Sequence, residues 1–152
     1  MSKDKRLRLR AQTAADIAPL SALLQDATVR VADMAYRAEA RRFVLLANRF
    51  RWEKQAARRW FGTPERVRAA LRLDFVDKAR LTGIDLEDKE RVLDLLALTA
   101  APTDAKADSP ATLTLVFAGE GAIALQLEVI DATLEDVSAP WPASGRPDHE
   151  RA

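Results

Sequence analysis

Two aromatic and basic runs are the first places where residue type and spacing could do chemistry: Asn48-Arg49-Phe50-Arg51-Trp52-Glu53-Lys54 and Arg58-Arg59-Trp60-Phe61. Arginines neutralise phosphates while Trp and Phe faces stack on bases, the combination used by single-strand binders. Arg49, Arg51, Trp52, Arg58, Arg59 and Trp60 are therefore the candidate contacts to a polyanion or to a partner protein. A strand through the first run puts Asn48, Phe50 and Trp52 on one face and Arg49 and Arg51 on the other. That pattern equally describes a half-buried strand with a charged outer face.

A second set is the acids Asp74 with Asp77 and Glu128 with Asp131, which could share a proton as an acid/base couple. They recur at matching places in two similar stretches, Leu71-Arg72-Leu73-Asp74-Phe75-Val76-Asp77 and Leu125-Gln126-Leu127-Glu128-Val129-Ile130-Asp131. The simpler expectation is that each aspartate caps or pairs at a bend, where two adjacent apolar residues interrupt the alternation. His149 is the one histidine and cysteine is absent, so any metal site would need carboxylates alone. Asp85, Glu87, Asp88 and Glu90 lack the spaced loop of an EF-hand and read as a solvated turn. Gly119-Glu120-Gly121 joins two strand-like runs without phosphate-loop spacing and reads as a hairpin. Ser21, Ser109 and Ser138 sit in no nucleophile elbow. These patterns predict no catalytic residue, no metal and no cofactor.

A chain of 152 residues buries a core without staples, so one domain is expected. The cysteine-free composition fits a reducing cytosol. The basic N-terminus alternates with Leu7 and Leu9 and runs into no long apolar stretch, which argues against a signal peptide, and no apolar run is long enough for a membrane helix. A net charge of +1 conceals an asymmetry. Residues 41–72 carry ten basic and two acidic side chains, net +8, and residues 73–138 carry five basic and fourteen acidic, net −9. If the two segments separate in space, one face attracts anions. If their strands interleave, the charge is spent on cross-strand pairing.

The elements that must position these residues are mostly strands. Alternation predicts a strand over Lys5–Ala11. Ile17, Leu20, Leu24 and Ala27 mark a helix from Ala14 or Ile17 to Asp26; Thr13 with Asp16 resembles a capping pair, but Pro19 argues for a later start with Asp16 as N-cap and the proline inside the first turn. Strands follow over Thr28–Tyr36 and Arg42–Trp52, the latter apolar enough to suggest burial on both faces. Lys54–Pro64 is a mobile connection or a short helix. Val67–Ile84 is a long bent strand, Arg91–Thr99 a strand, Ala100–Ala111 a mobile loop, and Thr112–Ala118 and Ala122–Leu134 a hairpin. The expected fold is α+β, mostly antiparallel sheet from two three-stranded meanders, as a sandwich or a pleckstrin-homology-like open barrel, with one N-terminal helix. Residues 1–138 form the globular domain and 139–152 a Pro-rich C-terminal tail.

Arg42–Glu53 (RFVLLANRFRWE), Ser21–Ala27 and Leu115–Asp136 (LVFAGEGAIALQLEVIDATLED), followed by Pro140-Trp141, resemble the DUF2948 family of alphaproteobacterial proteins over nearly the whole chain. The resemblance implies a bacterial, cytoplasmic protein and carries over no site residue. The combined expectation is a non-enzymatic binding or adaptor domain with an unknown protein partner, possible homodimerisation and no membrane. The alternative is nucleic-acid or phosphoanion binding through the Arg/Trp-rich segment 49–60.

Overall fold

A computed structural model describes residues 6–55, 64–103 and 109–143. Strand β1 (Arg8–Ala11) leads into a capping box: Asp16 N–H donates to Thr13 Oγ1 at 3.3 Å, and Thr13 N–H donates to Asp16 Oδ2 at 3.2 Å. This satisfies donors that a helix start leaves over. A 3-10 turn then runs into α1 (Ile17–Leu24), where Pro19 sits in the first turn at no hydrogen-bond cost. Ile17, Leu20 and Leu24 form its buried stripe, which packs chiefly against the strand Val92–Pro102.

The strand expected over residues 28–36 is divided. β2 (Ala27–Arg30) and β3 (Met34–Arg37) are separated by a 3-10 turn at Val31–Asp33. The division lets β2 pair with the strand Val92–Pro102 while β3 pairs with β4 (Arg42–Phe50). A helical turn, α2 (Trp52–Gln55), ends that strand earlier than the alternation suggests. β5 (Glu65–Asp74), β6 (Val76–Thr82), β7 (Val92–Pro102), β8 (Ala111–Phe117), β9 (Ala122–Leu127), β10 (Ala132–Asp136) and β11 (Trp141–Pro142) follow. β7 runs on to Pro102, so the expected loop is shorter than residues 100–111. The β8–β9 turn is tight, with Phe117 N–H donating to the Gly121 carbonyl at 2.8 Å and both Gly119 and Glu120 left-handed, as a primed turn requires.

The sheet is antiparallel throughout, in the order β1-β10-β5-β4-β2-β7-β8-β9-β6, with β3 alongside β4 and β11 alongside β5. The expected α+β fold with one N-terminal helix is the fold observed; the sheet is open, neither a closed barrel nor two separate sheets. Its roll follows from connectivity. β5 is third in the order and β6 last, yet Phe75 alone separates them. Six strand spacings span about 29 Å in a flat sheet, whereas two residues of chain reach about 7 Å. β9 and β10 are also six places apart and are joined by Glu128–Asp131. The sheet must therefore fold over until the ends of β5 and β9 meet at a corner. There Asp74 N–H donates to the Asp131 carbonyl and Glu128 N–H to the Phe75 carbonyl, each at 3.0 Å.

One core fills the concave side, drawing Leu45, Leu71, Leu95, Leu115, Ile123 and Leu134 from six strands. β4 corrects an expectation here. Phe43, Leu45 and Ala47 are buried, but Val44 and Leu46 are only half-buried, so the strand keeps one core face and one partly solvated face. No helix is long and apolar enough to cross a membrane among the described residues.

Candidate functional site

The end of β4 carries the arginines and aromatics singled out from composition. Alternation turns Arg49 inward together with Leu45 and Ala47, and it is fully buried. Its guanidinium donates through Nε and Nη2 to both Asp136 oxygens at 2.9 Å, and through Nη1 and Nη2 to Glu53 at 3.0 and 2.8 Å. A further bond from Nη1 goes to the Phe50 carbonyl. Burial alone would lower the Arg49 pKa, but the bonds from Glu53 and Asp136 and their charge outweigh it and raise it above its ordinary value. Burial pushes Glu53 up, and the Arg49 bond, a backbone hydrogen bond and the charges of Arg49 and Arg51 together reverse it, leaving that carboxyl below its usual range.

Arg51 is nearly buried and bonds Glu65 at 2.6 Å. Trp52 donates from Nε1 to the Gln25 carbonyl just past α1 at 3.0 Å, and its ring lies 5.2 Å from that of Phe50. The Arg66 guanidinium sits 3.9 Å from the Phe50 centroid on the opposite strand. These contacts pin the β4–β5 end to α1 and β10. Arg58, Arg59 and Trp60 lie outside the described residues, as does His149. A pocket of about 110 Å³ opens beside Arg51, lined also by Arg6, Val67, Asp136 and Ser138. It is room for a few waters or a small ion, well below the size of a cofactor site.

The charge asymmetry resolves into pairing. Arg41 bonds Asp77 and Glu128, Arg42 bonds Asp74 at 2.8 Å, Arg72 meets Asp74 at 3.2 Å and Arg49 takes Asp136. The basic segment is thus knitted into the acidic one, the interleaved alternative. Asp77 and Asp131 each hold an arginine at the corner, Arg41 and Arg10 respectively. No group of three metal-binding side chains exists among the described residues.

The corner brings together residues that composition did not single out. Phe75 has φ 60 and Arg41 φ 53, left-handed conformations that bulky side chains rarely adopt. Phe75 is 40% exposed and Val129 36%, while the residues after them, Val76 and Ile130, are buried. Each adjacent apolar pair therefore turns one side chain out and one in. Doublets at 75–76 and 129–130 were the available signal; their periodicity could not tell which member faces solvent. Arg41 lies over the Phe75 ring and bonds Asp77 and Glu128, so an apolar centre has a charged rim.

Neither a curated protein nor a solved structure matches this chain. A family model, described as a protein of unknown function, DUF2948, matches residues 7–149, and the chain belongs to that family.

Proposed function

We propose that the chain is a non-enzymatic protein-interaction domain that docks a partner protein at the corner where Phe75 and Val129 stand exposed. The observation that carries this reading is Phe75, a bulky aromatic held left-handed and 40% exposed. Left-handed backbone costs a non-glycine residue about 1–2 kcal/mol, and an exposed ring recovers little of it by burial. Strain kept without a matching gain in stability points to a contact made elsewhere. An aromatic centre with a rim of Arg41, Asp77 and Glu128 has the composition of a small protein-binding patch.

Polyanion binding through Arg49, Arg51, Trp52, Arg58, Arg59 and Trp60 is the competing reading. The inward, fully paired placement of Arg49 and the pairing of Arg51 with Glu65 weigh against it. The proposal also includes a bacterial, cytoplasmic setting, supported by family membership and cysteine-free composition. It includes an origin by duplication of one three-strand unit, supported by the reciprocal crossing of β6 to β9 and β10 to β5.

Photo-crosslinking tests the docking surface. With p-benzoylphenylalanine at position 75, cells that make the protein should yield one discrete adduct, absent when the probe replaces Thr114 on the outer face of β8. The same adducts from both positions, or none from 75, would remove the proposal. Fluorescence anisotropy with a labelled single-stranded oligonucleotide runs beside it; binding that weakens steeply with salt would favour the polyanion alternative.

A further inference from the structure

Phe75 leads directly into an unpaired strand edge. β6 is last in the sheet order, and β9 takes one side of it from Val76 to Thr82. On the other side, among the described residues, contacts stop at its first two residues: Val76 N–H donates to the Arg41 carbonyl at 2.9 Å, the Val76 carbonyl accepts from Tyr36 Oη at 3.0 Å, and Asp77 accepts from the Arg41 side chain. From Lys78 to Thr82 that side pairs with no strand among the described residues. A bare edge of this length is a template for an added strand.

The side chains along the edge decide which strand it admits. Lys78 and Arg80 point out, alternating with half-buried Ala79 and Leu81, and neither cation has an ion pair among the described residues. The arginines at the corner, by contrast, are paired. Two copies of β6 laid antiparallel about Ala79 would set Lys78 opposite Arg80 twice. Centred on Arg80, they would set Arg80 opposite itself. Like charges directly opposite destabilise a strand pair, so a second copy is a poor occupant. Such charges guard an edge against its own kind, and the guard becomes an attraction for a strand of opposite sign.

We infer that β6 accepts an extended acidic segment of the partner protein as an added strand. Its Asp or Glu residues lie opposite Lys78 and Arg80, its apolar residues lie beside Ala79 and Leu81, and Phe75 flanks one end. The inference rests on the reading of the corner as a protein-binding surface, and names the chemistry of what binds there.

Display of random nine-residue peptides on phage, selected against the purified full chain, tests it. Enriched peptides should alternate acidic with apolar residues. Binding of the labelled consensus peptide should fall at least about tenfold with Lys78→Glu and Arg80→Glu together, and with backbone N-methylation at alternate residues. Lys89→Glu, outside β6, should leave it within about twofold. Unchanged urea midpoints establish that the variants fold. No enrichment, or binding indifferent to both the charges and the peptide N–H groups, overturns strand addition. Peptides that depend on Phe75→Ala but not on β6 would also overturn it, while leaving the corner in place. Peptide capture by β6 without an adduct from position 75 would remove the corner reading instead.

Discussion

The Arg41 guanidinium lies 5.7 Å from the centroid of the Phe75 ring, and both residues are left-handed. Arg41 closes the turn before β4, accepts the Val76 N–H on its carbonyl and bonds Asp77 and Glu128 with its side chain. One residue thus ties the β3–β4 turn to both chain crossings. The exposed ring is held over that knot rather than folded into it.

Phe75→Gly separates fold from docking. Glycine removes about 1–2 kcal/mol of left-handed strain, costs about 0.5–1 kcal/mol of backbone entropy and forfeits an exposed cation–π contact of about 0.5–1 kcal/mol. These nearly cancel, so the urea midpoint should move by less than the equivalent of about 1 kcal/mol in either direction. Crosslinking from a probe at position 129 should nevertheless be lost. A destabilisation above about 2 kcal/mol would make Phe75 a structural residue.

Arg49 and Asp136 should behave as one unit. Arg49→Met leaves the Asp136 carboxylate, 5% exposed, without its main partner, and breaking a buried pair this way costs about 3–5 kcal/mol. Removing both charges in Arg49→Met with Asp136→Leu takes away the most buried orphan and should recover part of the loss, the remainder being the Glu53 carboxylate that also loses Arg49. Denaturant unfolding of the four proteins in this cycle measures the coupling. Additive losses would mean that the two side chains are energetically independent.

Trp52→Phe asks whether α2 is anchored through its indole. The substitution keeps a ring near Phe50 but deletes the N–H that meets the Gln25 carbonyl. A loss of about 1 kcal/mol is expected, the ordinary net worth of such a bond. Thermal unfolding would show an unaltered midpoint if the contact carried no weight.

How far the sequence could be read differs by element. The Thr13/Asp16 capping box, the α1 stripe from Ile17 to Leu24 and the Gly119-Glu120-Gly121 hairpin are local signals realised in place, whereas Ala27, expected on that stripe, begins β2. The inward turn of Arg49 was not legible. Its partner Asp136 is 87 residues away in the chain, and an arginine alternating with apolar neighbours is charged outer face or buried ion pair according to what the far strand supplies. The open, rolled sheet was legible only as one of several shapes, since it depends on β6 and β10 changing neighbours at the corner. The exposure of Phe75 depends on a backbone angle that apolar patterning does not encode.

Acid should weaken the fold through Glu53 and strengthen it through Asp94. Burial pushes the Glu53 carboxyl up, but the Arg49 bond, a backbone hydrogen bond and the charges of Arg49 and Arg51 together outweigh it and leave the pKa below its ordinary value. Its stabilising contribution is complete above the unfolded value of roughly 4.5 and is lost as pH falls through the lower folded value. Asp94 has the opposite sign. Partial burial, and then repulsion from Asp26, raise its pKa despite Arg66. Its charged form therefore costs stability at neutral pH, and the cost disappears below the unfolded value of roughly 3.9. Glu53→Gln should flatten the decline in Tm between roughly pH 5 and pH 3. Asp94→Asn should raise Tm at neutral pH and converge on the parent protein in acid. Thermal melts across that range check both, and a Glu53→Gln profile as steep as the parent's would show that the Arg49 bond is not what acid releases.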